Sequence, residues 1–318
     1  MKLFKYLCLL SLFVFASCAE DELSPDSVID AQAGQTARTD LDEWIEDQLT
    51  EPYGIAVEYR WNKYTAPIQG FTTPPDTSRI REMLLTVKDL WIDLYNSSNT
   101  GGPDFLKDKK PLKIYLFGGP NLDGNGVELL HTPKSTHVEM YLFNVKTFSA
   151  DNYLCVYKLM RSEHHQFAKR LMEVFPYDRN AYSRISKPLY TAGSTEFIAK
   201  RLKYMNDEMD LFGIVNYGLI NGMFTYYSFL SAEDDLAEMI SIHLLHTPKE
   251  ISRLMEDARK PKVGPDDILY EQEKAALEAR HQELVQKRDM MLEYFKKEVG
   301  IPLNVLQKLS LKKIKRYQ

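Results

Sequence analysis

The first third of the chain combines short apolar runs with one amphipathic segment. Apolar runs bounded by turn residues predict strands at 55–61, 112–117, 127–130 and 137–143. Between the first two, apolar side chains recur at helical spacing over 80–95, which predicts a helix. This part of the chain is therefore predicted to form a small sheet accompanied by a helix.

From Tyr153 onward the apolar positions follow a helical period almost throughout, and no internal repeat is visible. The predicted helices cover 156–175, 196–204, 212–219, 234–245, 266–299 and 304–316. Strands that come first and helices that follow predict an α+β fold. We assign residues 41–318 to one domain, which ends in the helices of 266–318.

The N-terminus has the pattern of a targeting segment. Lys2 and Lys5 precede an apolar run at 7–15. The run is too short to cross a bilayer, which takes about 20 residues. A short basic region followed by such a run is typical of a cleaved secretion signal, predicted here at 1–17. The alternative is a buried N-terminal helix.

The end of this run predicts a lipid anchor. Ala16 and Ser17 stand directly before Cys18, as in a bacterial lipobox, whose thiol is acylated. Residues 18–40 are rich in small and polar side chains and are predicted to be a flexible tether. The acidic residues at 20–22 resemble the surface-export signal of some Gram-negative lipoproteins. We therefore expect a protein anchored in the outer membrane and exposed at the cell surface.

Composition narrows the class of protein. The chain has 40 Lys and Arg against 45 Asp and Glu, a formal net charge of −5. A nucleic-acid binder usually carries a basic surplus, so no nucleic-acid partner is expected. Three Cys cannot build a disulfide framework. Cys155 lies in an apolar stretch and is predicted to be buried and inert.

One predicted helix carries a damaged metal motif. In His-Glu-x-x-His, two His at i and i+4 project from one face of a helix and bind zinc, and the Glu is the general base. The corresponding string here is His165-Gln166-Phe167-Ala168-Lys169. The first His is present, but the base is replaced by Gln166 and the second His by Lys169.

The sequence around this string resembles a known family, the zinc metallopeptidase lipoproteins associated with outer-membrane substrate import. That family's helix has His-His-Glu-Phe-Ala-His, and the string from His164 to Lys169 matches it except at Gln166 and Lys169. A second stretch, 233–241, is similar to the family's Glu-Asp-Phe-Ala-Glu-Met block. The resemblance implies a zincin-like fold, with Glu238 as the third zinc ligand.

The two replacements predict that the site is inactive. An open catalytic zinc site needs about three protein ligands, and only His165 and Glu238 would remain. The ammonium of Lys169 repels a dication, and Gln166 cannot take a proton from water. We therefore expect no cofactor, and hypothesise that Lys169 replaces the metal by neutralising Glu238.

The predicted function is non-catalytic binding. The cleft that binds substrate in an active member of the family would here hold a peptide or glycan ligand, or a protein partner. The resemblance implies that this binding takes place beside an outer-membrane nutrient-import complex. The alternative is an active zinc-dependent metallohydrolase with rearranged ligands. His243 and His246, three residues apart, are the candidates for such a rearrangement.

Ordinary structural roles are also open for these residues. His164 lies on the apolar side of its helix and is predicted to be a hydrogen-bonded core residue. His165 is either a former ligand or a surface residue, and Glu238 is either a former ligand or a solvated helix residue. His131, His137 and His281 are scattered and are given no role.

Overall fold

The computed structural model describes residues 38–61, 72–122, 124, 126, 128–130, 138–190, 196–197, 200 and 213–318. The chain divides into two units, Met1–Glu43 and Trp44–Gln318. Several predicted features lie wholly or largely outside the described residues: the signal peptide at 1–17, Cys18 and its tether at 18–40, His131, His137, and the helix at 196–204.

Three short strands form one parallel sheet in the described part of the chain. They are β1 (Ala56–Glu58), β2 (Lys113–Leu116) and β3 (Glu139–Leu142), in the order β1-β2-β3. In the register of β2 and β3, the buried residue Ile114 lies beside the buried Met140. Of the strand predicted at 127–130, residues 128–130 are described, and there Glu128 forms an isolated bridge with Leu122.

Helices make up most of the rest of the described chain. The α-helices of at least four residues are α1 (Asp40–Ile45), α2 (Thr77–Val87), α3 (Tyr153–Val174), α4 (Arg179–Ser186), α5 (Asn216–Leu219), α6 (Ala232–Leu245), α7 (Pro248–Asp257), α8 (Tyr270–Tyr294) and α9 (Leu303–Ile314). Three of them continue into π-helical turns, at Glu46–Thr50, Lys88–Ile92 and Phe295–Val299. A small sheet followed by a mostly helical remainder confirms the predicted α+β class.

Helix α7 lies in a stretch for which the sequence predicted no helix. The predicted helices stop at 245 and resume at 266, but Thr247 and Pro248 begin a further helix between them. The Thr247 side chain accepts a hydrogen bond from the Glu250 N–H, and Pro248 occupies the first turn, where its missing N–H costs nothing.

Two buried helices pack against each other: α3, which carries the damaged motif, and α6, which carries Glu238. Asn152 caps α3 by accepting from the Leu154 N–H, and Ser231 caps α6 by accepting from the Asp234 N–H. Acidic residues fill the first turn of α6, where the helix dipole favours them. The caps fix where each helix begins, and so which side chains meet between them.

None of the helices in the described ranges is both long and apolar enough to span a membrane.

Candidate functional site

Polar and charged side chains meet in the interface between α3 and α6. Arg161 and His165 of α3, and Glu238 and Ser241 of α6, are each 0% exposed. Burying charge is costly unless the charge is paired and hydrogen-bonded. The partners of each group therefore decide what this interface can do. Because His165 is buried, its interpretation as a surface residue is wrong.

Glu238 is the acceptor at the centre of the interface. Its carboxylate accepts hydrogen bonds from Arg161 Nη2, from His165 Nδ1 and from the Thr225 hydroxyl, each at 2.6 Å. The guanidinium also donates to the Ser241 hydroxyl. Burial alone would raise the pKa of Glu238, but Arg161 and the hydrogen bonds from His165 and Thr225 lower it to about 2. Glu238 is thus a paired carboxylate, and its interpretation as a solvated residue is wrong.

The two nitrogens of His165 face different carboxylates. Nδ1 donates to the ionised Glu238, and Nε2 lies 3.6 Å from Asp234 Oδ1. Metal-binding His residues are commonly oriented in this way, with one nitrogen held by a carboxylate and the other directed at the metal. Glu238 therefore lies on the orienting side of the ring, and Asp234 lies on the side where a metal would bind.

The hypothesis that Lys169 neutralises Glu238 is wrong. Lys169 Nζ lies 2.9 Å from Asp234 Oδ1 and 3.5 Å from Glu233 Oε1, one turn earlier on α6. The cation bound to Glu238 is Arg161 instead. The same oxygen, Asp234 Oδ1, thus lies near both the Lys169 ammonium and His165 Nε2.

Gln166, at the position of the general base, is bonded to the backbone of β3. The Tyr141 N–H donates to Gln166 Oε1 at 2.8 Å, and Gln166 Nε2 donates to the Tyr141 carbonyl at 3.0 Å. Nε2 also donates to the Ser162 hydroxyl at 2.9 Å. The Leu142 carbonyl accepts from the Phe117 N–H and therefore faces the β2 side of β3. Backbone groups of successive residues point to opposite sides of a strand, so the N–H and carbonyl of Tyr141 face the outer edge of the sheet. Gln166 therefore closes that edge at Tyr141.

These donors do not fit a zinc ion as they stand. Within the described ranges, no three His, Cys, Asp or Glu side chains are gathered so that they could hold a metal. Near His165 Nε2, the second-ligand position holds the ammonium of Lys169 paired with Asp234, and a cation repels zinc. Glu238 is engaged by Arg161, His165 and Thr225.

His164 is buried, as predicted, but the predicted hydrogen bond is missing. Its side chain is 1% exposed, and within the described part of the chain neither ring nitrogen has a hydrogen-bond partner. Burial, aided by the charge of Arg161, lowers the pKa of His164 to about 3. The ring is therefore neutral at physiological pH and belongs to the core.

The side chains of His243 and His246 contact different partners. His243 Nδ1 lies 2.7 Å from the Met239 carbonyl. His246 Nε2 lies 3.0 Å from the Tyr157 hydroxyl, and its Nδ1 lies 3.1 Å from Glu250. Burial lowers the pKa of His243 to about 4. Among the described residues these two His form no group that could hold a metal.

Cys155 is half-buried rather than buried, and lies in the first turn of α3. It borders a cavity of about 420 Å³ that also contacts Phe143, Lys158 and Ser162. A second cavity, of about 300 Å³, borders Lys169 and Glu233. Both cavities thus adjoin the helix that carries the damaged motif.

Four further side chains belong to this centre although no role was predicted for them from the sequence: Arg161, Asp234, Thr225 and Ser241. Helical spacing is the signal that could have drawn attention to two of them. Arg161 stands four residues before His165, and Asp234 stands four residues before Glu238. Residues at i and i+4 share a helix face, so each belongs to the same polar face as a predicted ligand.

One family model and one solved structure are similar to this chain. The family described as "putative zinc-binding metallo-peptidase" matches residues 34–304. A crystal structure of a putative zinc-binding metallo-peptidase from Bacteroides caccae ATCC 43185 is similar in fold, with a TM-score of 0.58 and 20% identity. The similarity covers 87% of this chain and 92% of that one. A search of curated proteins found no match. Since the family match spans most of the sequence, the chain belongs to the putative zinc-binding metallo-peptidase family.

Proposed function

We propose that this protein is a non-catalytic member of its family. The observation that carries the proposal is the ion pair between Lys169 and Asp234, beside Nε2 of His165. A zinc ion bound to His165 Nε2 would need about three protein ligands, but the position of the second ligand is occupied by the ammonium of Lys169.

The position of the base supports the same proposal. A general base must take a proton from a water molecule in the site. The carboxamide of Gln166 has no basic oxygen, and both of its polar atoms are engaged by Tyr141 and Ser162. Loss of the ligand and loss of the base are separate defects, so restoring one alone would not restore catalysis.

The proposed role is to hold a ligand at the outer membrane. Cys18 would carry the lipid anchor, and the folded part would act as an accessory of a nutrient-import complex, holding a peptide or glycan or contacting a protein partner. The lipobox and the acidic residues after it support this location. The cavity of about 300 Å³ beside Lys169 and Glu233 offers space for a ligand next to the His165 centre.

The alternative is an active zinc-dependent metallohydrolase with rearranged ligands. The family description favours it, because it names zinc. In that case His165 and Asp234 would hold the metal after Lys169 had moved away.

Zinc titration of four variants tests the proposal. Lys169→His should create zinc affinity, because an imidazole would then stand beside His165 Nε2 and Asp234. Adding Asp234→Asn should abolish that affinity, whereas adding Ser241→Ala, which lies on the Arg161 side, should leave most of it. The unchanged protein and Lys169→Met should bind no zinc in the calorimeter. Tight zinc binding by the unchanged protein would favour the alternative.

A further inference from the structure

A cavity of about 280 Å³ lies apart from the Arg161–Glu238 centre, between the segment around α4 and the end of α8. It shares Pro176 and Tyr177 with the cavity beside Lys169. Its walls are mostly aromatic, sulfur-containing and acidic. The side chains that matter for its chemistry are Tyr177, Tyr182, Tyr294, Met291, Glu293 and Glu298.

The three tyrosine rings stand at steep angles to one another. The ring of Tyr177 lies 6.0 Å from that of Tyr182 at 83°, and 6.1 Å from that of Tyr294 at 65°. Aromatic faces are electron-rich, and a cation over them is attracted by the ring quadrupole. Rings in several orientations around one cavity are suited to surround a compact cation.

Two of the tyrosine hydroxyls have unused hydrogen-bonding capacity. Tyr294 is 6% exposed, and its hydroxyl and that of Tyr177 are buried without a hydrogen-bond partner in the described part of the chain. The Tyr182 hydroxyl, by contrast, donates to Asp235. Both unpaired oxygens are closed to water, so the ring faces, and not these hydroxyls, are the groups that would contact a cation in the cavity.

The charges around the cavity favour a cation over an anion. Asp178, Glu293 and Glu298 contribute three carboxylates, and Lys297 contributes one ammonium, which is paired with Glu293. The remaining surplus is negative. A cavity of this size is smaller than the pockets of about 300 Å³ or more that enclose whole ligands, and accommodates one side chain or a small amine.

We propose that this cavity binds an alkylammonium group, such as the side chain of a lysine or a small aliphatic amine. The tyrosine faces would hold the charge, and Met291 and Leu236 would contact the alkyl chain. This binding needs no metal and does not depend on whether the His165 centre is catalytic.

The purified full-length chain, titrated with n-butylammonium by calorimetry, tests the proposal. The neutral isostere n-butanol is the matched ligand control, and binding of the amine should be at least about fivefold tighter because only the amine has a cation to place over the rings. Binding of the amine should weaken as salt is raised. Equal affinity for n-butylammonium and n-butanol would show that the cavity binds only the alkyl chain and not the charge, and would overturn the proposal.

Variants locate the binding. Glu298→Gln removes one exposed carboxylate at the cavity without altering the core, and should weaken n-butylammonium binding about threefold or more. Tyr294→Leu should abolish it, while Tyr270→Leu, on the same helix but not lining the cavity, should leave it unchanged. If Tyr294→Leu does not fold, Glu298→Gln decides. No saturable binding of the amine, or unchanged binding in Glu298→Gln, would contradict the proposal.

Discussion

The carboxylate of Glu238 is the buried charge around which the other side chains of the centre are arranged. Arg161 supplies the opposite charge, and His165 and Thr225 supply further hydrogen bonds. Replacing a whole buried pair can be nearly neutral, but removing one partner leaves an uncompensated charge. The centre should therefore respond strongly to changes in the charge of this one residue.

Stability should fall at low pH because of Glu238. Its pKa in the folded protein is lowered to about 2 from an ordinary value of 4.5. The stabilisation is thus fully present above about 4.5 and is lost as pH falls toward 2, and amounts to about 3 kcal/mol. Denaturant unfolding at several pH values measures it. Glu238→Gln should flatten the pH dependence in this window, and an equally steep dependence in that variant would contradict the assignment.

Gln166→Glu, which restores the base of the motif, should destabilise the protein. A carboxylate cannot donate to the Tyr141 carbonyl or to Ser162, so the loss at neutral pH should be about 1–3 kcal/mol. Burial would raise the pKa of the new carboxyl in the folded variant, and the loss should therefore grow as pH rises from its unfolded value toward that folded value.

Unfolding of Gln166→Glu and of the parent at pH 4 and pH 7 measures this difference. Ser162→Ala is the control, since it removes only one of the three hydrogen bonds of Gln166 and adds no charge. A variant as stable as the parent at neutral pH would show that Gln166 does not hold the edge of β3.

Helix α6 is held at a second place by a buried ion pair. Lys287 of α8 and Asp235 of α6 are both 0% exposed, and Nζ lies 2.7 Å from Asp235 Oδ2. The Tyr190 hydroxyl also donates to Asp235, at 3.1 Å. Asp235 directly follows Asp234, so this pair helps to fix the position of Asp234 relative to the damaged motif on α3.

Removing the cation of this pair should be costly. Lys287→Met leaves Asp235 buried without its cation and should destabilise the protein by about 3–5 kcal/mol. The double variant Lys287→Met/Asp235→Leu should recover part of that loss, because no charge then remains buried. Thermal unfolding of both variants and of Lys274→Met, which removes an exposed lysine of the same helix, measures the effect. Equal losses in Lys287→Met and Lys274→Met would contradict it.

The elements that carry the site were predictable, but their contacts were not. Helical spacing placed α3 and α6 close to their observed bounds, because caps and apolar periods are local signals. Asp234 and Glu238 share one face of α6, and their spacing alone does not determine which of the two carboxylates pairs with Lys169. The pairing of Arg161 with Glu238 joins residues 77 positions apart and depends on how the two helices pack.

At the scale of the whole molecule, the chain combines a family fold with an altered centre. The family match extends over residues 34–304, and the two departures from the His-Glu-x-x-His pattern are Gln166 and Lys169. On the proposal that the centre holds no metal, Arg161 and Lys169 supply the positive charge that the carboxylates of α6 require.

The zinc content of the full-length chain tests the central claim most directly. The protein is purified without chelators, equilibrated with excess zinc, freed of unbound metal and analysed by mass spectrometry for elements. Because the Lys169 ammonium is paired with Asp234 beside His165, we predict far less than one equivalent of zinc. One equivalent of zinc, lost on His165→Ala or Asp234→Asn, would contradict the account.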